Sequence, residues 1–175
     1  MKNLCGWKKI LKSMMLLTLV CLMPAQEARA DRLSEGSKAI GFMLGNPMGL
    51  TGKLWREDNR AIDMGISLSS DNFFLVYADY LFHFPGLFGD SSGFVEQLKP
   101  YIGVGAELSF ARDGSRIGSR AGSSSTGIGL RVPLGVEWVV PDAPFGIFVE
   151  IAPVLVFAPS GYTLVEGSVG ARWYF

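Results

Sequence analysis

From Ser37 onward, apolar residues recur at every second position in one stretch after another, and clusters of Pro, Gly, Asn, Asp and Ser separate the stretches. Alternation of this kind marks strands whose two faces meet different surroundings, and the intervening clusters mark turns. The last stretch sets Val165, Val169, Ala171, Trp173 and Phe175 against Glu166, Ser168, Gly170, Arg172 and Tyr174. The one before it sets Phe145, Ile147, Val149, Ile151, Pro153, Leu155 and Phe157 against Gly146, Phe148, Glu150, Ala152, Val154 and Val156. Six more precede these, beginning near Ile40, Leu50, Ile62, Phe74, Ile102 and Ile128. Eight strands are therefore expected, joined closely enough to lie antiparallel to their neighbours. An even number lets the sheet close on itself and leave no edge.

Which face turns inward decides the environment. A soluble eight-stranded barrel points its apolar face inward and covers its outer face with residues such as Lys, Glu, Thr and Gln. Here the second face is mostly Gly, Ser, Ala and isolated charges, which suit the concave interior of a narrow barrel. The bulky aliphatic and aromatic side chains then point outward, an arrangement that is stable in lipid. The longer stretches meet the roughly 9 to 11 residues a tilted strand needs to cross the apolar layer, and a closed sheet pairs the backbone groups as a bilayer demands. The expected fold is all-β, an eight-stranded antiparallel transmembrane up-and-down β-barrel. Trp55, Trp138, Phe157, Trp173 and Phe175, near strand ends, are expected to form its interfacial girdles.

Composition narrows the class further. A chain of 175 residues that is 49% hydrophobic is too apolar for disorder and too short for more than one ordinary domain. Its zero net charge conceals a segregation, since Lys2, Lys8, Lys9, Lys12 and Arg29 stand in the first 30 residues against the single acid Glu27. The remainder is acidic, so nucleic acid is not an expected partner. The basic start, the apolar run from Met14 to Met23 broken only by Thr18, and Ala28-Arg29-Ala30 together read as a secretory signal peptide over residues 1–30, cleaved before Asp31. A spanning helix would need roughly 20 apolar residues, twice this run. A lipoprotein site at Cys21 would require a small residue where Val20 stands. The barrel would then occupy residues 31–175. Both cysteines, Cys5 and Cys21, precede it, so no disulfide, thiolate ligand or cysteine nucleophile is available to it, and neither metal nor cofactor is expected.

The ending Gly-Ala-Arg-Trp-Tyr-Phe, with apolar residues at alternate positions before it, resembles the C-terminal signal read by the outer-membrane barrel assembly machinery. Val169, Ala171, Trp173 and Phe175 would carry that signal. The stretch 31–175 resembles the small eight-stranded outer-membrane barrels, such as the OmpA transmembrane domain and OmpX. The hairpin from Gly45 to Lys53 is similar to that of small barrels with no assigned activity. The resemblance implies a location in the cell outer membrane, outer-membrane lipid and the assembly machinery as partners, and both barrel termini in the periplasm. It implies little about function, because a fold is not an activity.

Candidate chemistry lies inside. The inward face carries Lys53, Arg131 and Arg172 against Asp63, Asp79, Glu107, Glu137, Glu150 and Glu166, which must pair or hydrate if buried. If Glu57-Asp58-Asn59 is a three-residue turn, Lys53 stands opposite Asp63 and should attract it. One reading is a charge network that fills and closes the lumen. The alternative is a narrow cation-preferring channel drawn by the carboxylate excess, although an eight-stranded interior is barely wide enough for its own side chains. A third is a lipid A-modifying enzyme built on His83, the one histidine. Asp79 lies four residues along the same strand, about 13 Å away, too far to orient the ring, so His83 is expected as an interfacial or turn-proximal residue. The Gly-x-Gly pairs at Gly103 and Gly127 have no following helix and do not make a nucleotide loop.

With both barrel termini in the periplasm, the outward loops are 46–49, 70–72, 112–126 and 158–161. The third contains Arg112, Arg116 and Arg120 among Gly and Ser, and reads as a flexible basic loop able to meet lipopolysaccharide phosphates or a surface ligand. On the other side, 85–99 is long for a periplasmic turn, and its apolar residues suit a lid or a membrane-surface element. The function expected is an integral outer-membrane protein with a structural or surface-interaction role and no catalysis.

Overall fold

The computed structural model describes residues 36–57, 59–68, 73–88, 94–111, 116–117, 120–121, 125–140, 143–158 and 161–175. Residues 1–30, expected from the sequence to be a signal peptide, lie outside them. The strands are β1 (Lys38–Asn46), β2 (Gly49–Glu57), β3 (Arg60–Leu68), β4 (Phe73–His83), β5 (Leu98–Ala111), β6 (Arg116–Ile117), β7 (Arg120–Ala121), β8 (Ser125–Arg131), β9 (Leu134–Val139), β10 (Phe145–Ala158) and β11 (Tyr162–Tyr174). A 3-10 turn over Phe94–Gln97 precedes β5. All except β6 and β7 belong to one antiparallel sheet, which closes where β1 pairs with β11. The fold is an all-β closed antiparallel barrel.

Nine strands make eight passes, because β8 and β9 are two halves of one. Both keep the same register against β5, with Arg131 opposite Gly105 and Leu134 opposite Ile102. The interruption is chemical. Gly103 donates to the Pro133 carbonyl at 2.8 Å and Val132 to the Pro153 carbonyl at 3.0 Å. Neither proline has an N–H to return, so two adjacent ladder bonds are missing from the middle of the wall.

The barrel is turned inside out relative to a soluble one. Along β10 exposed and buried residues alternate strictly, with Val149 and Ile151 outward and Phe148, Glu150 and Ala152 inward. Phe42, Leu50, Val149 and Val165 are each more than half exposed, while Lys53, Asp63, Arg131, Glu137 and Arg172 are all no more than 2% exposed. The side chains that water would exclude are outside and those that water would solvate are inside.

The inner face holds more than small residues and charges. Two apolar clusters cross it: Met43, Leu75, Tyr77 and Phe148, and, at the end where β1 begins, Ala39, Trp55, Ala61 and Tyr174. Trp55 is fully buried there, which corrects its placement in an interfacial girdle. It follows Thr51 and Lys53 on the inward face of β2, and the strand's period overrides an indole's preference for the interface. Phe157, Trp173 and Phe175 do point outward and are exposed, and Trp138 is outward and half-buried. Three inward aromatic rings are accommodated by glycines directly opposite them: Tyr77 by Gly65, Tyr101 by Gly135 and Phe148 by Gly170. A Cβ at Gly65 would stand 2.2 Å from the Tyr77 ring, and one at Gly170 2.5 Å from Phe148. Glycine is required at these positions so that the neighbouring ring can lie flat across the strand.

Candidate functional site

The lumen is where the chain concentrates its chemistry, and strand register builds it. Inward positions alternate along each strand, so residues contributed by β2, β3, β4, β5, β8, β9, β10 and β11 converge on one axis. All nine charged residues named from the alternation are buried inside the barrel. Three cations organise them.

Arg131 projects from the end of β8, opposite Gly105 on one side, where no side chain blocks it. Its Nε donates to Glu166 at 3.2 Å, one terminal nitrogen to Glu150 at 2.5 Å and the other to Asp79. Its guanidinium carbon lies 4.1 Å above the Tyr77 ring. Arg172 stands opposite Gly41 and Gly146 and is held in the same way. It donates to both Asp63 oxygens at 2.8 and 3.0 Å, to the Thr51 hydroxyl at 3.0 and 3.3 Å and to Glu137 at 3.4 Å, and it stacks 3.8 Å from the Phe148 ring. Donation to several acceptors from the edge of one plane, with an aromatic ring on its face, belongs to the guanidinium and cannot be reproduced by lysine.

Lys53 is opposite Asp63 in register, as the turn at 57–59 implies, but its ion partner is Glu137 across the lumen. Asp63 is already occupied by Arg172 and by the Thr51 hydroxyl, which donates to it at 3.3 Å. Lys53 Nζ also donates to His83 Nε2 at 2.8 Å and lies between the faces of Trp55 and Tyr101, 4.8 and 5.1 Å from their centroids. Asp63 and Asp79 are themselves directly opposed, a like-charge pairing that would be repulsive were each not bound to its own arginine. Glu107 is buried opposite Gly129 on the inner face of β5.

His83 corrects an expectation. It is 3% exposed, inside the barrel, packed 4.3 Å from Trp55 and 5.3 Å from Tyr101, and not at an interface. Its place on the inward face of β4, in line with Asp79 and Tyr77, was the available signal. Several other members were hidden by chemistry or by strand length. Tyr101 donates to Glu150 at 2.8 Å and Tyr174 donates to Glu137, so two aromatic residues complete the carboxylate shells. Lys99 lies opposite Glu137 because β5 begins at Leu98, earlier than its alternation suggests, and adds a fourth inward cation at the rim.

The basic loop is only partly placed. Arg112 lies outside the described residues, and the backbones of Arg116 and Arg120 belong to β6 and β7, which pair as a two-residue ribbon. That ribbon gives the 112–126 stretch paired backbone at four of its positions, and β8 already begins at Ser125. Val169, Ala171, Trp173 and Phe175 occupy the outward face of β11, Ala171 half-buried and the others exposed. The 85–99 segment does not cap the lumen where it is described: its 3-10 turn rests on the outer wall, with Phe94 edge-on to Trp138 at 5.1 Å and Trp138 donating to Gln97 at 2.8 Å.

Comparison with known proteins adds a family. No curated protein matches the sequence. Among solved structures the chain is similar to Neisserial surface protein A, with a TM-score of 0.44 and 18% identity over 79% of this chain and 94% of that one. A family model described as a protein of unknown function, DUF3996, matches residues 31–175. With more than half of its length matched, the chain belongs to the DUF3996 family.

Proposed function

We infer that this protein is an integral barrel of the cell outer membrane with a closed lumen, acting as a structural or surface-interaction element and not as a catalyst. The observation that carries the reading is the inversion of the barrel. Its apolar side chains are on the outside, and its charges are paired within by two stacked arginines and one lysine. Such a wall is stable only against lipid, and a single-pass strand can be exposed there only if the sheet is closed. Arg131 is held by carboxylates from β4, β10 and β11 and Arg172 by carboxylates from β3 and β9, so each ties separate parts of the wall together across the lumen, which supports a closed interior. With both barrel termini in the periplasm, the 112–126 stretch and the other three loops at that end face outward and are the surface available to lipopolysaccharide or a ligand. The outward face of β11 is the proposed assembly signal.

The second reading, a narrow cation-preferring channel, is favoured by one feature: six inward carboxylates against Lys53, Arg131, Arg172 and, at the rim, Lys99. The third reading, lipid A modification, would have to use His83, whose described ring neighbours are Lys53, Trp55 and Tyr101. Unboiled and boiled gels establish the folded band, and planar-bilayer recording then decides between the first two. A folded protein that passes no current is expected. Discrete cation-selective steps, weakened by Glu107→Gln or Glu137→Gln, would replace the closed lumen with the channel. A change in lipid A composition abolished by His83→Ala would establish the enzyme.

A further inference from the structure

The outer wall does not end where the strands do. Beyond β4 the chain runs through Phe84 and a turn over Pro85–Phe88, and it is described again from Phe94 into the 3-10 turn. Phe84 continues the outward row of Tyr80 and Phe82 on β4, and Phe94 leans on Trp138, the last bulky outward residue of β9. Phe84, Leu87, Phe88, Phe94 and Val95 are between 38% and 64% exposed, and together they extend the apolar wall sideways past the end of the barrel. An exposed cluster of this kind marks an interaction site. The indole N–H of Trp138, which would otherwise seek a headgroup or water, donates to Gln97 and so joins the 3-10 turn to the outer wall.

We propose that Phe84–Phe88 and Phe94–Gln97 form a foot that lies in the interfacial layer of the periplasmic leaflet, its five apolar side chains dipping into the acyl boundary. The proposal rests on the outer-membrane reading above and names the surface this segment contacts. Continuity with the lipid-facing wall selects lipid as the occupant: the outward rows of β4 and β9 lead into the foot through Phe82, Phe84 and Trp138, and the exposed Arg60 opposite Phe82 sits at the level where a headgroup layer would begin. Aliphatic and phenyl side chains partition into that layer, and their burial anchors the barrel vertically at one side.

The test places a nitroxide at Leu87 or Val95, through Leu87→Cys or Val95→Cys, in the full chain carrying Cys5→Ser and Cys21→Ser. The protein is folded into vesicles of phosphatidylethanolamine and phosphatidylglycerol. Accessibility to oxygen, which concentrates in lipid, is compared with accessibility to a water-soluble nickel chelate. Val149→Cys on the mid-wall of β10 gives the lipid reference and Glu57→Cys at the exposed turn gives the aqueous one. The oxygen-to-nickel ratio at Leu87 and Val95 is expected to be several-fold above that at Glu57 and to approach that at Val149. Ratios equal to that of Glu57, with Val149 still reading as lipid, would overturn the foot and leave the membrane barrel standing. A folded protein in which Val149 also reads as aqueous would overturn both.

Discussion

At the scale of single residues, the lumen is a set of dependencies and not a sum of pairs. Removing Arg131 leaves Asp79, Glu150 and Glu166 facing one another without their shared cation, and breaking a buried pair in this way costs about 3–5 kcal/mol. Arg131→Ala should therefore lower the urea midpoint of the heat-modifiable folded band by an amount of that order, whereas Arg60→Ala, whose partner Glu57 is solvent-exposed, should change it by less than about 1 kcal/mol. A second prediction concerns Gly65, where the three atoms nearest an added Cβ all belong to the Tyr77 side chain. Gly65→Ala should destabilise by about 1–3 kcal/mol, as overpacking does, and the cost should shrink in a Tyr77→Ala background. An unchanged cost in that background would mean that the strand, not the ring, requires glycine. Period two was enough to assign every one of the nine lumen charges to a face. It could not say which carboxylate meets which cation, because partners such as Lys53 and Glu137 are 84 positions apart and meet only across the closed ring. Trp55 and His83 were misplaced for a related reason: their residue types argued for an interface, but their parity placed them inside.

At the scale of strands, the weak point is the place where Pro133 and Pro153 fall on adjacent passes. The carbonyls of Gly103 and Val132 lack the return bond that a residue with an N–H would supply. Pro133→Val keeps a buried side chain of comparable size and restores a donor toward Gly103, so it should raise stability by about 0.5–1.5 kcal/mol in the same urea titration. A fall in stability would mean that the proline's fixed backbone angle contributes more than the missing bond. No reading of alternation could have found this break, since Val132, Pro133 and Leu134 continue the outward-inward-outward pattern without a slip. The same blindness concealed the true start of β5 and the 3-10 turn before it. Short stretches whose side chains rest on the outside of a wall carry no period of their own.

For the molecule as a whole, inside-out burial joined to ring closure gives the properties expected of a membrane barrel, and its fold was the most legible level of all. Eight alternating stretches with bulky apolar residues on one face admit few other solutions, and the eight passes observed depart from them in the split of β8 from β9, the earlier start of β5 and the added β6–β7 ribbon. Closure also makes one seam equivalent to every other. Lys38 and Phe175 exchange backbone bonds in both directions, at 3.1 and 2.8 Å, so the first and last strands meet as if a hairpin already joined them. The barrel is therefore topologically circular, and its linear order is a matter of synthesis and not of architecture. A circular permutant, with Phe175 linked to Ser37 and new ends opened between Ala158 and Gly161, should refold in detergent to the same heat-modifiable band. In cells it would separate shape from address: if the outward residues of β11 are recognised only at a chain end, the permutant would fold in the tube and yet fail to be delivered.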